Sequence, residues 1–266
     1  MAVHPLDAAV SALMRDVGRE IVMPHFRALA AEEIIEKSPG ELVTVADRAA
    51  EERLHAGLAA LLPHARVIGE EAVAADPALL DGLDHGTCWI VDPIDGTHNY
   101  AEGGHPFAIM VALVADGETE AGWILDPATG RLCHATRGGG ALVDGAPVRS
   151  RATGAALPQA ALALRYMDED MRGRFAARIP GRLEEVGIPR CAGEQYARLV
   201  LGENDVALYW RCLPWDHAPG ALFLTEAGGR LARFDGTPYR VTQDAEGMLA
   251  AATPELWQQA REILLG

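Results

Sequence analysis

Apolar residues recur near the start of the chain at Leu6, Ala9, Val10, Leu13, Val17, Ile21 and Val22. This is the i, i+3, i+4 spacing of an amphipathic helix, which Pro24 should end. Residues 40–44 read as a loop running into a short extended piece, and Asp47 opens a second helix whose apolar face is Leu54, Leu58, Leu61 and Leu62 before Pro63 stops it. Two apolar runs follow, Val67-Ile68 and Cys88-Trp89-Ile90-Val91, each reading as a strand that ends on acid groups: Glu70 and Glu71 after the first, Asp92 after the second. Residues 107–116 and 118–126 flank Asp116-Gly117, a strong two-residue hairpin signal, and 131–148 carry further turn signals at Gly138-Gly139-Gly140 and Asp144-Gly145. The first half is thus expected to be sheet-rich and antiparallel, with helices to one side. After Val148 the expected order is strand (160–165), helix, helix (193–201), strand (205–211) and helix (215–227), a second sheet-and-helix layer. The pattern predicts a mixed α+β fold in two halves, 1–148 and 149–266, that share an interface because no Pro/Ser-rich linker separates them.

Composition narrows the function classes. At 266 residues the chain can build its core without a disulfide or metal staple. Its 23 basic and 38 acidic residues give a net charge of −15, a field that repels nucleic acid and anionic membrane, so neither is expected as a partner. Cys88, Cys133, Cys191 and Cys212 stand far apart without a CxxC pair, which fits a reducing compartment. The first residues carry neither a basic start nor an apolar run, and the longest apolar stretch, Ala108–Ala115, is too short to span a bilayer. The expectation is a cytoplasmic protein.

Asp92-Pro93-Ile94-Asp95-Gly96-Thr97 is the most informative segment. Two aspartates three apart, stiffened by proline and fed by an apolar strand, can aim both carboxylates at one spot, as a hard oxygen-ligand site for Mg²⁺ requires. The same letters also describe a type I turn with a solvated Asp and a capping residue. Glu70 could join such a site or be a solvated strand end. Asp216 could join it or serve as a helix N-cap.

Further landmarks stand in order along the chain: Leu42-Val43-Thr44 with Asp47, Gly69-Glu70-Glu71, Asp92 to Thr97 with Asn99, and Trp215-Asp216 with Ala218 and Gly220. In these, and over nearly its whole length, the sequence resembles the inositol monophosphatase family of Mg²⁺-dependent, lithium-sensitive phosphatases. The resemblance implies a layered αβαβα sandwich of the sugar-phosphatase type, with a mainly antiparallel first sheet and a smaller mixed second one. It implies two or three Mg²⁺ ions. Glu70, Asp92 and the carbonyl of Ile94 would hold the first; Asp92, Asp95 and Asp216 the second; Glu70 would help a third through water. Thr97, oriented by Asp47, would with Glu70 position and deprotonate the attacking water. Asp95, Gly96, Thr97 and Asp216 would face the phosphate, the N–H groups of Gly96 and Thr97 donating to its oxygens at a helix start. Homodimerisation is expected only through the same resemblance.

The segments expected to face the substrate depart from the family pattern. Where many members carry Arg-x-x-Gly followed by small residues, this chain has Arg190-Cys191-Ala192-Gly193-Glu194-Gln195-Tyr196, placing bulky polar groups after Gly193. Glu194 and Gln195 could bind a polyol or an amine, or form the exposed first turn of a helix. Arg211 could grip a second phosphate or a carboxylate, or be a strand-end arginine facing water. The segment before Trp215-Asp216 also lacks the glutamate with which inositol-binding members hold a ring hydroxyl. His98 and His105 flank the acidic segment and are expected to face away from it, since Mg²⁺ prefers oxygen. Trp210 and Trp215 read as core. Residues 37–40 resemble the family's mobile loop and equally any exposed turn. The leading expectation is a phosphomonoesterase acting on a small phosphorylated alcohol of the inositol-1-phosphate kind. The alternatives are histidinol phosphate, a 3′-phosphonucleotide, or, in another class, a regulatory dimer that acts mainly by binding proteins.

Overall fold

In the computed structural model, which describes residues 3–38, 40–243 and 245–266, two sheets divide the chain into layers. A seven-stranded sheet runs in chain order through Arg66–Gly69, Thr87–Asp95, Ala108–Ala115, Glu118–Leu125, Leu132–Thr136, Gly140–Val143 and Ala146–Val148. Its first pair is parallel and the others are antiparallel. A five-stranded mixed sheet has the spatial order Glu184–Glu185, Gln159–Leu162, Val206–Tyr209, Met248–Ala251, Arg230–Arg233.

Strand alternation assigns the faces. In the larger sheet Trp89, Val91, Ile109, Val111 and Trp123 pack against Val10, Leu13, Leu54 and Leu58 of the helices Asp7–Val17 and Val45–Leu61. Residues of opposite parity, such as Ile90, Ala112, Met110 and Ile124, face the helices Ala192–Leu201 and Pro214–Ala227. Those two helices are sandwiched between the sheets, because Ala207 and Met248 of the smaller sheet pack on them from the other side. Val206, Leu208 and Leu249 point outward to Phe175 and to Trp257 and Ile263 of the final helix, Pro254–Leu265. The result is the αβαβα order of layers. Strands covered on both faces need near-continuous apolar runs, which is why residues 108–114 are apolar and buried throughout.

Most expected elements stand where the pattern placed them. Asp116 and Gly117 both have positive φ, 49° and 78°, as the two-residue hairpin requires. The first helix, however, gives way at Gly18–Val22 to a π-turn before a last short turn, Met23–His25. Asp47 does not open the second helix but sits in its first turn. Thr44 is the cap, its Oγ1 accepting from the N–H of Ala46 and Asp47, while the Asp47 carboxylate accepts from the Thr44 N–H at 2.8 Å. Glu70 and Glu71 do not end a strand; they begin the helix Glu70–Ala75. The cause lies elsewhere in sequence, in the Glu51 carboxylate, which accepts from the N–H groups of Glu71 and Ala72 at 2.8 Å each. The strand expected to stop at Asp92 continues to Asp95 through a register shift between these two residues. Among the described residues no helix is long and apolar enough to cross a membrane.

Gly220 shows how tightly the middle layer is packed. A Cβ there would lie 2.0 Å from the Tyr196 ring, so the two sandwiched helices can approach only because position 220 has no side chain. Gly220→Ala should therefore destabilise the protein by about 1–3 kcal/mol through overpacking. Denaturant unfolding measures this directly.

Candidate functional site

The acid residues meet where the Thr87–Asp95 strand reaches the start of the helix Pro214–Ala227. Alternation puts Asp92 on the face of Ile90, which packs with Trp215 and Ala218. The irregularity at Pro93 then lets Asp95 turn back toward the same place. Asp216 arrives from the first turn of its helix, where Pro214 pre-sets the backbone. Carboxylate oxygens of Asp92, Asp95 and Asp216 all lie within 4.8 Å of one another. Asp92 is 1% exposed and Asp95 7%.

Each carboxylate is held individually. Asp92 accepts from the Ile94 N–H at 3.0 Å. Asp95 accepts from the N–H of Gly193 at 2.6 Å, the N–H of Ala192 at 3.0 Å and the Cys191 thiol at 3.0 Å, all at the head of the Ala192–Leu201 helix. Glu70 borders the same cavity, but its Oε1 is taken by Lys37 Nζ at 2.9 Å, and Lys37 also bonds Glu71. Three of the four expected carboxylates therefore converge, and the fourth stands beside them on an ammonium.

The electrostatics follow from burial. Desolvation pushes the Asp92 carboxyl far above the usual range, with Glu70, Asp95 and Asp216 repelling its charge. Burial likewise raises Asp216, with Asp95 and Glu70 adding repulsion and Arg211 opposing it. Asp95 is raised by burial although its three donors favour the charged form. A buried trio of hard oxygen donors that repel one another is the arrangement a divalent cation stabilises, so the residues present fit Mg²⁺.

Thr97 lies at the start of the short helix Thr97–Ala101, capped by Gly96 at φ +88°. A side chain at 96 would also come to 3.1 Å from Cys191 Cβ and the Pro106 carbonyl, so glycine is required there. Thr97 Oγ1 is 2.9 Å from the Ile94 carbonyl and 3.3 Å from Asp47 Oδ1. Burial lifts Asp47 up to about 7, against the hydrogen bonds from Thr44 and with added repulsion from Glu71 and Glu70.

Glu70, Asp92, Asp95, Thr97 and Asp216 border a cavity of about 520 Å³, with Asp47 buried behind Thr97. Gly96, Thr97 and Arg211 border it as expected, and so does Gln195. Gly193 and Glu194 are not among the described residues that line it. Gly193 instead holds Asp95, and Glu194 is 8% exposed, paired with Arg131 and, at 2.8 Å, with Arg198. Neither a substrate contact nor an exposed helix turn describes Glu194, because two guanidinium groups draw its carboxylate inward. Arg211, about a third exposed, pairs with Glu41 rather than standing alone. His98 does border the cavity, contrary to expectation, held through its Nε2 by the Gly40 carbonyl at 3.2 Å. His105 lies outside it, 2.9 Å from Asp126. Trp210 and Trp215 are both core residues, as read, and both also border the cavity. In the segment 37–40, Pro39 lies outside the described residues. The roles of Lys37, Cys191 and Tyr209 were not visible in the sequence: a lone lysine, cysteine or tyrosine carries no local signal of which distant carboxylate or cavity it will meet.

Comparison with known proteins agrees with this architecture. The model of the inositol monophosphatase family matches residues 3–265. A fructose-1,6-bisphosphatase/inositol-1-monophosphatase of Thermotoga maritima is 30% identical over 226 residues, 84% of this chain and 83% of that protein. A histidinol-phosphatase of Chlorobaculum parvum is 31% identical over 223 residues, 82% of each. Among solved structures, a Thermotoga maritima IMPase superposes with a TM-score of 0.77 at 26% identity, covering 97% of both chains.

The raised carboxyls couple stability to pH. A folded-state value above the unfolded one means that the native protein retains protons the unfolded chain has released. That contribution is fully present below the ordinary value of 3.8 and is lost as pH rises through the folded value, about 7 for Asp47. In a chelator, the melting temperature should therefore fall between roughly pH 5 and pH 8, and Asp47→Asn should flatten the fall. Added Mg²⁺ should raise the melting temperature most at the alkaline end, a trend that calorimetry across pH would reveal or refute.

Proposed function

The chain belongs to the inositol monophosphatase family, a family of metal-dependent phosphoric monoester hydrolases, and from that premise we propose that this cavity hydrolyses a small phosphorylated alcohol of the inositol-1-phosphate kind. The observation that carries the reading is the convergence of Asp92, Asp95 and Asp216 within 4.8 Å from distant parts of the chain. These three, with Glu70 and the Ile94 carbonyl, would hold two or three Mg²⁺ ions. When bound, such ions neutralise phosphoryl oxygens, lower the pKa of a coordinated water and stabilise the leaving alkoxide.

The rest falls to side chains. Thr97 Oγ1 lies 2.9 Å from the Ile94 carbonyl and 3.3 Å from Asp47 Oδ1, so its hydroxyl can donate to either while its oxygen accepts a hydrogen bond from the attacking water. Asp47, lifted to about 7, is poised to gain and lose that proton near neutrality, where a general base is most effective. Asp95, gripped by three donors, stays fixed as an anionic ligand rather than a base. Gly96 and Thr97 line the place where the phosphate would lie.

The polyol reading is favoured over histidinol phosphate because Glu194, the acid that could have met an ammonium, is occupied by Arg131 and Arg198. It is favoured over a 3′-phosphonucleotide because the Arg211 guanidinium is engaged with Glu41.

Asp92→Asn should lower turnover of inositol-1-phosphate with Mg²⁺ by more than about 100-fold, the upper range for disturbing groups that merely support metal ligands. The same change should raise the melting temperature of the chelated protein by relieving buried repulsion. A variant with near-normal turnover, or one that no longer folds, would contradict the assignment of Asp92.

A further inference from the structure

Beside the acid cluster, two residues that border the cavity carry buried polar atoms that the protein leaves without partners. Gln195, in the first turn of the Ala192–Leu201 helix, is 3% exposed, and neither its Oε1 nor its Nε2 has a hydrogen-bond partner. Tyr209, the last residue of the Val206–Tyr209 strand, is 9% exposed and its hydroxyl is likewise unpartnered. Both residues border the cavity. A buried amide without a partner destabilises the fold, so its presence asks for an explanation that packing does not supply.

Both side chains are mounted on the scaffold that holds the acid cluster. Gln195 follows Gly193, whose N–H fixes Asp95. Tyr209 stacks on Tyr196 with ring centroids 5.3 Å apart, and Tyr196 bonds His217, the neighbour of Asp216, at 3.0 Å. The two polar groups are therefore registered against the carboxylates by the same helices and strand. Of the other buried polar atoms without partners, His98 Nδ1 belongs to a residue that also borders the cavity, whereas Trp89 Nε1, Asn204 Nδ2 and the Tyr239 hydroxyl do not.

The chemistry of this wall is specific. A carboxamide offers an acceptor beside two donors, and a phenol offers one donor and an acceptor. Burial pushes the Tyr209 phenol up, so it keeps its proton at neutral pH. Neither group carries charge, and Glu41, the carboxylate bordering the cavity outside the metal-ligand set, is taken by Ser38 and Arg211. An ammonium on the leaving group would lose its water here without gaining a counter-ion, whereas neighbouring hydroxyls would satisfy both orphaned groups.

We propose that Gln195 and Tyr209 are specificity-determining residues that bind the leaving group, selecting an uncharged, multiply hydroxylated alcohol over an amino alcohol. This rests on the phosphatase reading above and adds to it which residues read the alcohol.

The test compares the wild-type protein, Gln195→Leu and Tyr209→Phe with Mg²⁺ on three esters: inositol-1-phosphate, histidinol phosphate and p-nitrophenyl phosphate, whose leaving group has no hydroxyls beyond the ester oxygen. For each variant, kcat/KM for inositol-1-phosphate should fall about 10-fold or more beyond any fall for p-nitrophenyl phosphate, mainly through KM, because a buried partner has been removed. The melting temperature of Gln195→Leu should hold or rise, since leucine removes an amide that has no partner in the fold. Equal losses on both esters, or a clear drop in melting temperature for Gln195→Leu, would overturn the inference by making these groups structural. A wild-type preference for histidinol phosphate would overturn the selected class. Wild-type protein inactive on all three esters would instead sink the phosphatase reading itself.

Discussion

Mutual repulsion among Asp92, Asp95 and Asp216 is the constraint around which the structure is organised. Three carboxylates with oxygens within 4.8 Å have their proton affinity raised first by burial and then by neighbouring acid charge, eased where Asp92 and Asp216 share a hydrogen bond. They stay together because each is fixed by a different part of the fold: a strand irregularity, the head of one helix and the first turn of another. The protein spends stability here to prepare a place for divalent charge, and strain of this kind concentrates where chemistry is done.

The sandwich supplies the force that resists this repulsion. The Pro214–Ala227 helix is apolar on nearly all sides because a sheet covers each flank, and the close approach of Gly220 to Tyr196 locks it against the other middle helix. The helix heads therefore arrive at the end of the larger sheet as rigid fixtures. Donors from the Ala192–Leu201 helix hold Asp95 with two N–H groups and a thiol, so its orientation is set before any ligand binds. Lys37 balances Glu70 and Glu71 through ion pairs of 2.9 and 2.6 Å.

Acid groups and neutral polar groups without partners border the same cavity. Two nearby charges are paired within the protein, Glu194 with two arginines and Arg211 with Glu41, while Arg165 and Arg190 also border the cavity.

Local spacing alone was enough to read the hairpin at Asp116-Gly117, the helices around Leu54 and Leu222, and the acid-rich end of the strand at Asp92, because each depends on neighbours a few residues away. The family landmarks extended this to the set of carboxylates and to the layered fold. What the sequence could not settle were matters of pairing across the chain. Glu70 heads a helix because Glu51, distant in sequence, caps it. Glu194 turned inward because Arg131 waited on another strand's edge, and Gln195, its neighbour, was left facing the cavity without a partner. Sequence periodicity determines which face a residue occupies, since backbone geometry is local; which charge or cavity that face meets is fixed only when the sheets and helices close on one another.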